Sequence, residues 1–166
     1  MKSYLLGIDI GTSACKVAIF EKSGNVVAAA NGDYPVYYPK EGWAEQNPEE
    51  WWSAVCGAVK KAIQKADIKA DEIAGIGIDG QSWSAIAMDK YGNVLTNTPI
   101  WMDTRAQSIC DRLNEEIGAD KIFEVSGNSL QPSYTTAKIL WYKENMPEVY
   151  EKIDKILQSN SFIAYK

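Results

Sequence analysis

A polar turn near the start of the chain separates two apolar segments. It carries five residues whose types could bind an anion and a metal: Asp9, Gly11, Thr12, Ser13 and Lys16. A carboxylate at the end of a strand can face a hydrated Mg²⁺, which prefers oxygen ligands and keeps several waters. Glycine lets the backbone approach an anion closely, and amides and hydroxyls donate to phosphate oxygens. The turn therefore predicts a metal-bound phosphate site with Asp9 as the metal carboxylate.

The same residues have a second interpretation. Asp, Gly and Thr favour ordinary hairpin turns, and Lys16 fits a solvent-exposed position on a strand. The turn is not a Walker-type loop, because no GxxxxGK[ST] run occurs and a strand follows it. Taken alone, the residues leave the phosphate site and the plain hairpin equally open.

Composition excludes several classes of function. The chain has 166 residues, a net charge of −5 and no histidine. Without histidine, Ser-His-Asp catalysis and His-ligated zinc are excluded, so any proton transfer must use a carboxylate, Lys, Tyr or Cys. The acidic balance and the absence of a basic tract argue against nucleic acid as a partner. No apolar run reaches membrane-spanning length, so no membrane partner is expected.

The cysteines indicate a reducing compartment. Cys15, Cys56 and Cys110 are odd in number, widely spaced and without metal-ligand spacing. We expect three free thiols and a cytoplasmic location.

The elements that position the turn begin with a predicted antiparallel meander over residues 4–9, 14–20 and 26–34. Asn47 then caps a helix that starts at Pro48, with Glu50 completing a capping box. Its predicted apolar stripe is Trp52, Val55, Val59, Ala62, Ile63 and Ala66. Residues 73–79 are largely apolar and predict a central, parallel strand.

The second half predicts a strand at 84–88 and a helix capped by Asp103 or Thr104 and ended by Gly118. Helices near 134–144 and 147–153 and a strand at 155–157 follow. Residues 159–165 look like the first turns of another helix, where the chain stops. We expect residues 1–166 to be one domain, truncated from a longer protein.

Four ordered motifs resemble the FGGY family of carbohydrate kinases, and most of all its xylulokinase branch. They are GWAEQNPEEWW at 42–52, IGIDGQ at 76–81, IWMDTR at 100–105 and the segment 132–141, which ends in AKILW. The resemblance implies that residues 1–166 are the family's N-terminal domain, with the α/β, ribonuclease H-like fold of the actin-like ATPase superfamily. Its mixed sheet would have an antiparallel N-terminal meander and helices on both faces.

The family resemblance also implies an activity. Its members bind ATP and Mg²⁺ between two halves and phosphorylate a sugar, here a ketose such as D-xylulose. Gly11, Thr12, Ser13 and Lys16 would bind the phosphates beside Asp9. The family's general base is an Asp in a segment beyond Lys166, so this chain alone is expected to be inactive, and the whole protein could form a homodimer.

The resemblance further implies six sugar-binding residues: Gln81, Ser82, Trp83, Trp101, Asp103 and Arg105. Gln81 matches the family, whereas Ser82 and Trp83 depart from its patterns and leave the sugar undetermined. Trp83 could stack on a sugar face or sit in the core. Asp103 fits a helix cap as well as a sugar ligand, and Arg105 could pair with a carboxylate.

Two other classes remain open. One is a nucleotide-binding module of the actin and chaperone superfamily without sugar kinase activity. The other is an interaction domain that keeps the fold without the chemistry.

Overall fold

The computed structural model describes residues 3–166, which divide into two compact units. The first unit comprises residues 3–36, 47–81 and 159–166, and the second comprises residues 37–46 and 82–158. The strands are β1 (Tyr4–Ile10), β2 (Ala14–Glu21), β3 (Val26–Asp33), β4 (Glu45–Gln46), β5 (Ile73–Gly80), β6 (Ile86–Met88), β7 (Thr98–Pro99) and β8 (Lys155–Leu157). The helices are α1 (Pro48–Ala66), α2 (Gln107–Ile117), α3 (Ala119–Ser126), α4 (Thr135–Asn145), α5 (Pro147–Tyr150) and α6 (Ser159–Tyr165).

The first unit is built on a mixed four-stranded sheet in the order β3-β2-β1-β5. The predicted meander is confirmed, because β1 pairs antiparallel with β2 and β2 pairs antiparallel with β3. β5 pairs parallel with β1, as predicted. The prediction that β5 is central was wrong for the described residues, where β5 is an edge strand and Ile76 is 61% exposed.

Helix α1 starts as the sequence predicts. The Asn47 side chain accepts a hydrogen bond from the Glu49 amide, and Pro48 occupies the first turn. The buried stripe differs from the predicted one, because Trp51 is fully buried and Trp52 is only half-buried. The core face of α1 is Pro48, Trp51, Val55, Ala58 and Ala62.

Helices α1 and α6 pack on the same face of this sheet. That face presents Leu6, Ile8 and Ile10 from β1 and their cross-strand partners from β2. The opposite face carries small residues, with Gly7 flanked by Ala18 on β2 and Gly77 on β5. The helices expected on this second face are not found among the first unit's described residues, so the side chains at the ends of its strands are open.

The second unit has two short antiparallel strand pairs, β4 with β7 and β6 with β8. Its buried cluster joins β6, α2 and α4, and consists of Ala85, Ala87, Ala106, Ile109, Cys110, Ala137, Trp141 and Tyr142. The predicted side-chain cap of α2 was wrong, because Ala106 occupies the N-cap and makes no such bond. Gly118 ends α2 as predicted, but α3 follows at once and was not predicted.

Two further sequence expectations concern the chain as a whole. Cys15, Cys56 and Cys110 are free thiols, as predicted. Among residues 3–166, the helices are each too short or too polar to cross a bilayer.

Candidate functional site

Three hydrogen bonds fix the conformation of the β1–β2 turn. The Gly11 amide donates to the Ala14 carbonyl at 3.1 Å, which closes the turn. The buried Tyr34 hydroxyl donates to the Gly11 carbonyl at 2.6 Å, and the Tyr34 amide donates to the Ser13 carbonyl at 3.3 Å. A Cβ at position 11 would lie 2.9 Å from the Ala14 carbonyl oxygen, so the tight turn needs glycine here.

Asp9 and Lys16 face the open side of the sheet beside this turn. They are cross-strand partners, with Lys16 Nζ 3.9 Å from Asp9 Oδ2. Their side chains are 48% and 72% exposed, so both can reach a ligand. Thr12 is half-buried and Ser13 is exposed in the turn itself. The predicted phosphate residues therefore share one accessible edge of the first unit.

A second carboxylate stands next to Asp9 and was missed by sequence reasoning. Asp79 is the cross-strand partner of Asp9 in the parallel β1–β5 pair, and both residues line the open cleft on this face. Lys16 and Asn31 continue the same row across β2 and β3. The register of the β1–β5 pair, which the sequence does not reveal, places Asp79 beside Asp9. The sequence showed only that Asp79 lies at the end of an apolar strand.

The two carboxylates, Asp9 and Asp79, suit a hydrated magnesium ion better than a metal ion that only protein side chains coordinate. Among residues 3–166, no group of three or more His, Cys, Asp or Glu side chains could hold a metal. Mg²⁺ typically binds one or two carboxylates, keeps several waters and shares phosphate oxygens. Asp9, exposed and next to Asp79, offers that kind of ligand set.

Gln81 lies beside the phosphate turn in the first unit. Its amide donates to the Ile10 carbonyl at 2.8 Å, and its side-chain Nε2 reaches the Gly11 carbonyl at 3.5 Å. The Ser159 hydroxyl donates to the Gln81 carbonyl at 2.7 Å. Gln81 is thus fixed at the carboxyl end of β5, where ligands gather in open α/β sheets.

In the second unit, Trp83 is an exposed aromatic residue held in an unusual backbone conformation. Its φ is 64°, in the left-handed region that a non-glycine residue rarely adopts. The ring is 43% exposed and lies 4.8 Å from the Tyr134 ring, tilted by 42°. Together the two rings form one wall of a cleft of about 400 Å³ that also presents hydroxyl side chains. Trp83 is therefore available to a ligand, and so is the exposed Ser82.

Helix α4 holds the backbone that follows Ser82 at three consecutive carbonyls. Lys138 Nζ donates to the Trp83 carbonyl at 2.8 Å. Thr135 Oγ1 donates to the Ser84 carbonyl at 3.2 Å, and the Tyr142 hydroxyl donates to the Ala85 carbonyl at 3.0 Å. Positions 135, 138 and 142 share one helical face, so one face of α4 fixes this segment.

Asp103 and Arg105 are buried in an ion cluster with Glu45. The Asp103 side chain is fully buried and accepts from the Ala44 amide at 2.7 Å and from Arg105 Nε and Nη2 at 2.9 and 2.8 Å. Arg105 Nη2 also donates to Glu45 Oε1 at 2.7 Å. The polar atoms of Asp103 and Arg105 therefore bond within the buried cluster and do not line an open cleft. The neighbouring Trp101, by contrast, is 44% exposed.

Two indole rings enclose the Arg105 guanidinium. Its Cζ lies 3.8 Å from the Trp43 ring centroid and 4.9 Å from that of Trp141. Burial alone would lower the pKa of Arg105, but the hydrogen bonds and charges of Asp103 and Glu45 raise it overall. Arg105 is therefore a permanent cation that ties β4 to the loop before α2.

Comparison with known proteins identifies this combination of elements. Residues 4–166 match the N-terminal domain of the FGGY family of carbohydrate kinases. The chain belongs to the FGGY family. This confirms the ribonuclease H-like, actin-like ATPase fold that the motifs implied.

The FGGY relatives carry more than one substrate name. The chain is 32% identical to xylulose kinase of Bacillus subtilis (strain 168) over 98% of its length, and 35% identical to glycerol kinase of Leifsonia xyli subsp. xyli over 93%. It also matches the crystal structure of gluconate kinase from Lactobacillus acidophilus, with TM-score 0.90, 30% identity and 98% coverage. The chain spans about a third of each relative, namely 32%, 31% and 32%.

Proposed function

We propose that this chain is the phosphate-binding and sugar-binding part of an ATP-dependent carbohydrate kinase. The enzyme would transfer the γ-phosphoryl group of ATP to a hydroxyl of a ketose such as D-xylulose. The observation that carries the proposal is the exposed Asp9 beside the Gly11–Ser13 turn in a chain of this family. The free thiols of the chain favour a cytoplasmic enzyme.

The turn residues have separate tasks in this proposal. Asp9, aided by Asp79, would hold Mg²⁺, and the ion would supply charge neutralisation on the phosphates. The Thr12 and Ser13 amides and hydroxyls would donate to phosphate oxygens, with the Lys16 ammonium adding positive charge. Gly11 and Tyr34 keep the turn tight enough for this approach.

Exposed aromatic rings would form the acceptor wall. The C–H-rich face of a sugar packs well on an aromatic ring, and Trp83 and Trp101 are both more than two-fifths exposed, at 43% and 44%. Gln81 and Ser82 would supply hydrogen bonds to hydroxyls. We assign Asp103 and Arg105 to support of the wall instead of sugar contact, because their polar atoms are engaged in the buried cluster.

The test uses the full-length protein and a panel of acceptors: D-xylulose, D-ribulose, gluconate and glycerol. We expect ATP-dependent phosphorylation of at least one of them, with a preference for a ketose. Asp9→Asn should lower kcat by about 10²–10³-fold, the usual effect of removing one positioned electrostatic group. Asp71→Asn, an exposed carboxylate in the short 3₁₀ turn before β5, should leave kcat unchanged.

Two results would contradict the proposal. ATP hydrolysis that no acceptor stimulates would favour the nucleotide-binding module instead. If Asp9→Asn phosphorylates the acceptor at the wild-type rate, the Asp9 carboxylate does not bind the metal as proposed. Residues 1–166 alone should show no phosphorylation, because the proposed general base lies outside them.

A further inference from the structure

One buried side chain joins the two backbone segments that carry the exposed tryptophans of the second unit. Lys138 is fully buried on α4, and its ammonium donates to the Trp83 carbonyl at 2.8 Å and to the Ile100 carbonyl at 2.7 Å. Ile100 immediately precedes Trp101. The two segments are far apart in sequence, so this ammonium is a direct link between them.

The backbone at Trp83 needs such a link. A non-glycine residue with a left-handed φ is strained and persists only where its surroundings fix it. Lys138 fixes the carbonyl of the strained residue itself, and Thr135 and Tyr142 fix the next two carbonyls. Lys138 also bonds the Ile100 carbonyl, whereas the Tyr142 hydroxyl has Thr98, two residues earlier, as its second partner.

We propose that Lys138 is a positioning residue of the acceptor site, whose ammonium sets the spacing and orientation of the Trp83 and Trp101 rings. This inference rests on the proposed function for its consequence, because the rings are the acceptor wall of that proposal. The positioning of the two rings by Lys138 is inferred from its two hydrogen bonds and does not depend on that function. Lys138 itself touches no substrate.

Burial makes the link sensitive to the protonation of Lys138. The pKa of Lys138 is lowered from 10.5 to about 7: burial lowers it most, the charge of Asp103 raises it, and the charge of Arg105 lowers it further. Deprotonation leaves an amine with two N–H groups, so both contacts can persist. They lose the charge assistance that roughly doubles the strength of such hydrogen bonds.

The test is fluorine NMR of the full-length protein labelled with 5-fluorotryptophan. Trp83→Phe and Trp101→Phe assign the two resonances. Lys138→Met keeps the length of the side chain but removes its donors, and should broaden or split both resonances. Tyr142→Phe is the matched control: it removes an α4 hydroxyl that bonds the Ala85 carbonyl and Thr98 instead of the Trp83 and Ile100 carbonyls, and should leave both resonances single and sharp.

Sharp, unmoved resonances in Lys138→Met would overturn the proposal, and so would equal changes in Tyr142→Phe. If Lys138→Met does not fold, Lys138→Gln carries the test. Its shorter side chain has one amide nitrogen and cannot span both carbonyls, so at least one of the two resonances should broaden. Two sharp resonances in that variant would also overturn the proposal.

Kinetics tests the consequence for the acceptor. Lys138→Met should raise KM for the acceptor about tenfold, equivalent to about 1.4 kcal/mol, and leave KM for ATP unchanged. An equal rise in both KM values would indicate a general structural role and contradict positioning. If the protein phosphorylates no acceptor, the proposed function fails, yet the fluorine spectra still decide on Lys138 because they need no substrate.

Discussion

Replacing Asp103 with alanine should remove the centre of the buried ion cluster. The carboxylate accepts from the Ala44 amide at 2.7 Å and from the Arg105 amide, Nε and Nη2 at 3.0, 2.9 and 2.8 Å. After the substitution, the Arg105 guanidinium stays buried between two indole rings with Glu45 as its remaining ion-pair partner. The Ala44 amide would lose its acceptor.

The expected loss follows from these contacts. Removing one partner of a buried ion pair costs about 3–5 kcal/mol. An orphaned buried amide costs about 1–3 kcal/mol, and the two effects overlap because the same carboxylate is lost. We expect the free energy of unfolding to fall by about 4 kcal/mol in Asp103→Ala. In Asp103→Asn, which keeps the shape and one acceptor, the loss should be about 2 kcal/mol.

Urea unfolding followed by near-ultraviolet circular dichroism measures both losses, because Trp43 and Trp141 enclose the cluster. Glu144→Gln is the control: its pair with Arg112 is exposed, at 39% and 46%, so the loss should stay below about 1 kcal/mol. Unchanged stability with a raised KM for the acceptor would refute the reasoning. That outcome would return Asp103 to the role of a sugar ligand.

Three further predictions concern the turn and α4. Gly11→Ala should cost about 1–3 kcal/mol in urea unfolding, because its Cβ would meet the Ala14 carbonyl oxygen at 2.9 Å. Gly57→Ala, where a Cβ meets nothing within 4 Å inside α1, should instead stabilise by about 0.5–1 kcal/mol; equal losses would contradict the steric argument. Tyr34→Phe should cost about 1 kcal/mol and weaken phosphate binding, measured by calorimetry with ATP, because the Gly11 carbonyl loses its donor; unchanged affinity would contradict this. Because of Lys138, the free energy of unfolding should rise between about pH 7 and 10, since in this range the unfolded chain keeps a proton on Lys138 that the folded chain has released. The prediction fails if the free energy of unfolding rises no more steeply with pH in the wild type than in Lys138→Met.

Local chemistry was enough to predict much of the first unit. The Asn47-Pro48 pair marks the start of α1, and three apolar segments predict the meander of β1, β2 and β3. The parallel direction of β5 also followed from its apolar run. The position of β5 at the edge of the sheet could not be predicted, because an apolar sequence does not reveal whether a strand lies on each side of it.

The buried cluster was beyond sequence reasoning for a related reason. Asp103 and Arg105 are close in sequence, and their types fit a cap or a ligand equally well. Glu45 and the two enclosing tryptophans decide between these roles, and only the fold brings them together. Helix α3 was missed because it begins directly after Gly118, which was interpreted as the end of a helix and not also as a start.

The hydrogen bonds from α4 to the segment 83–85 have an evolutionary consequence. They are made to main-chain carbonyls, which every amino acid has, and none depends on the side chain at 82 or 83. Mutation can therefore exchange those two side chains while the path of the chain is kept. Selection for a new acceptor could act on positions 82 and 83 without breaking these three hydrogen bonds, within the residues that the left-handed backbone at 83 allows, leaving Thr135, Lys138 and Tyr142 as the constant frame.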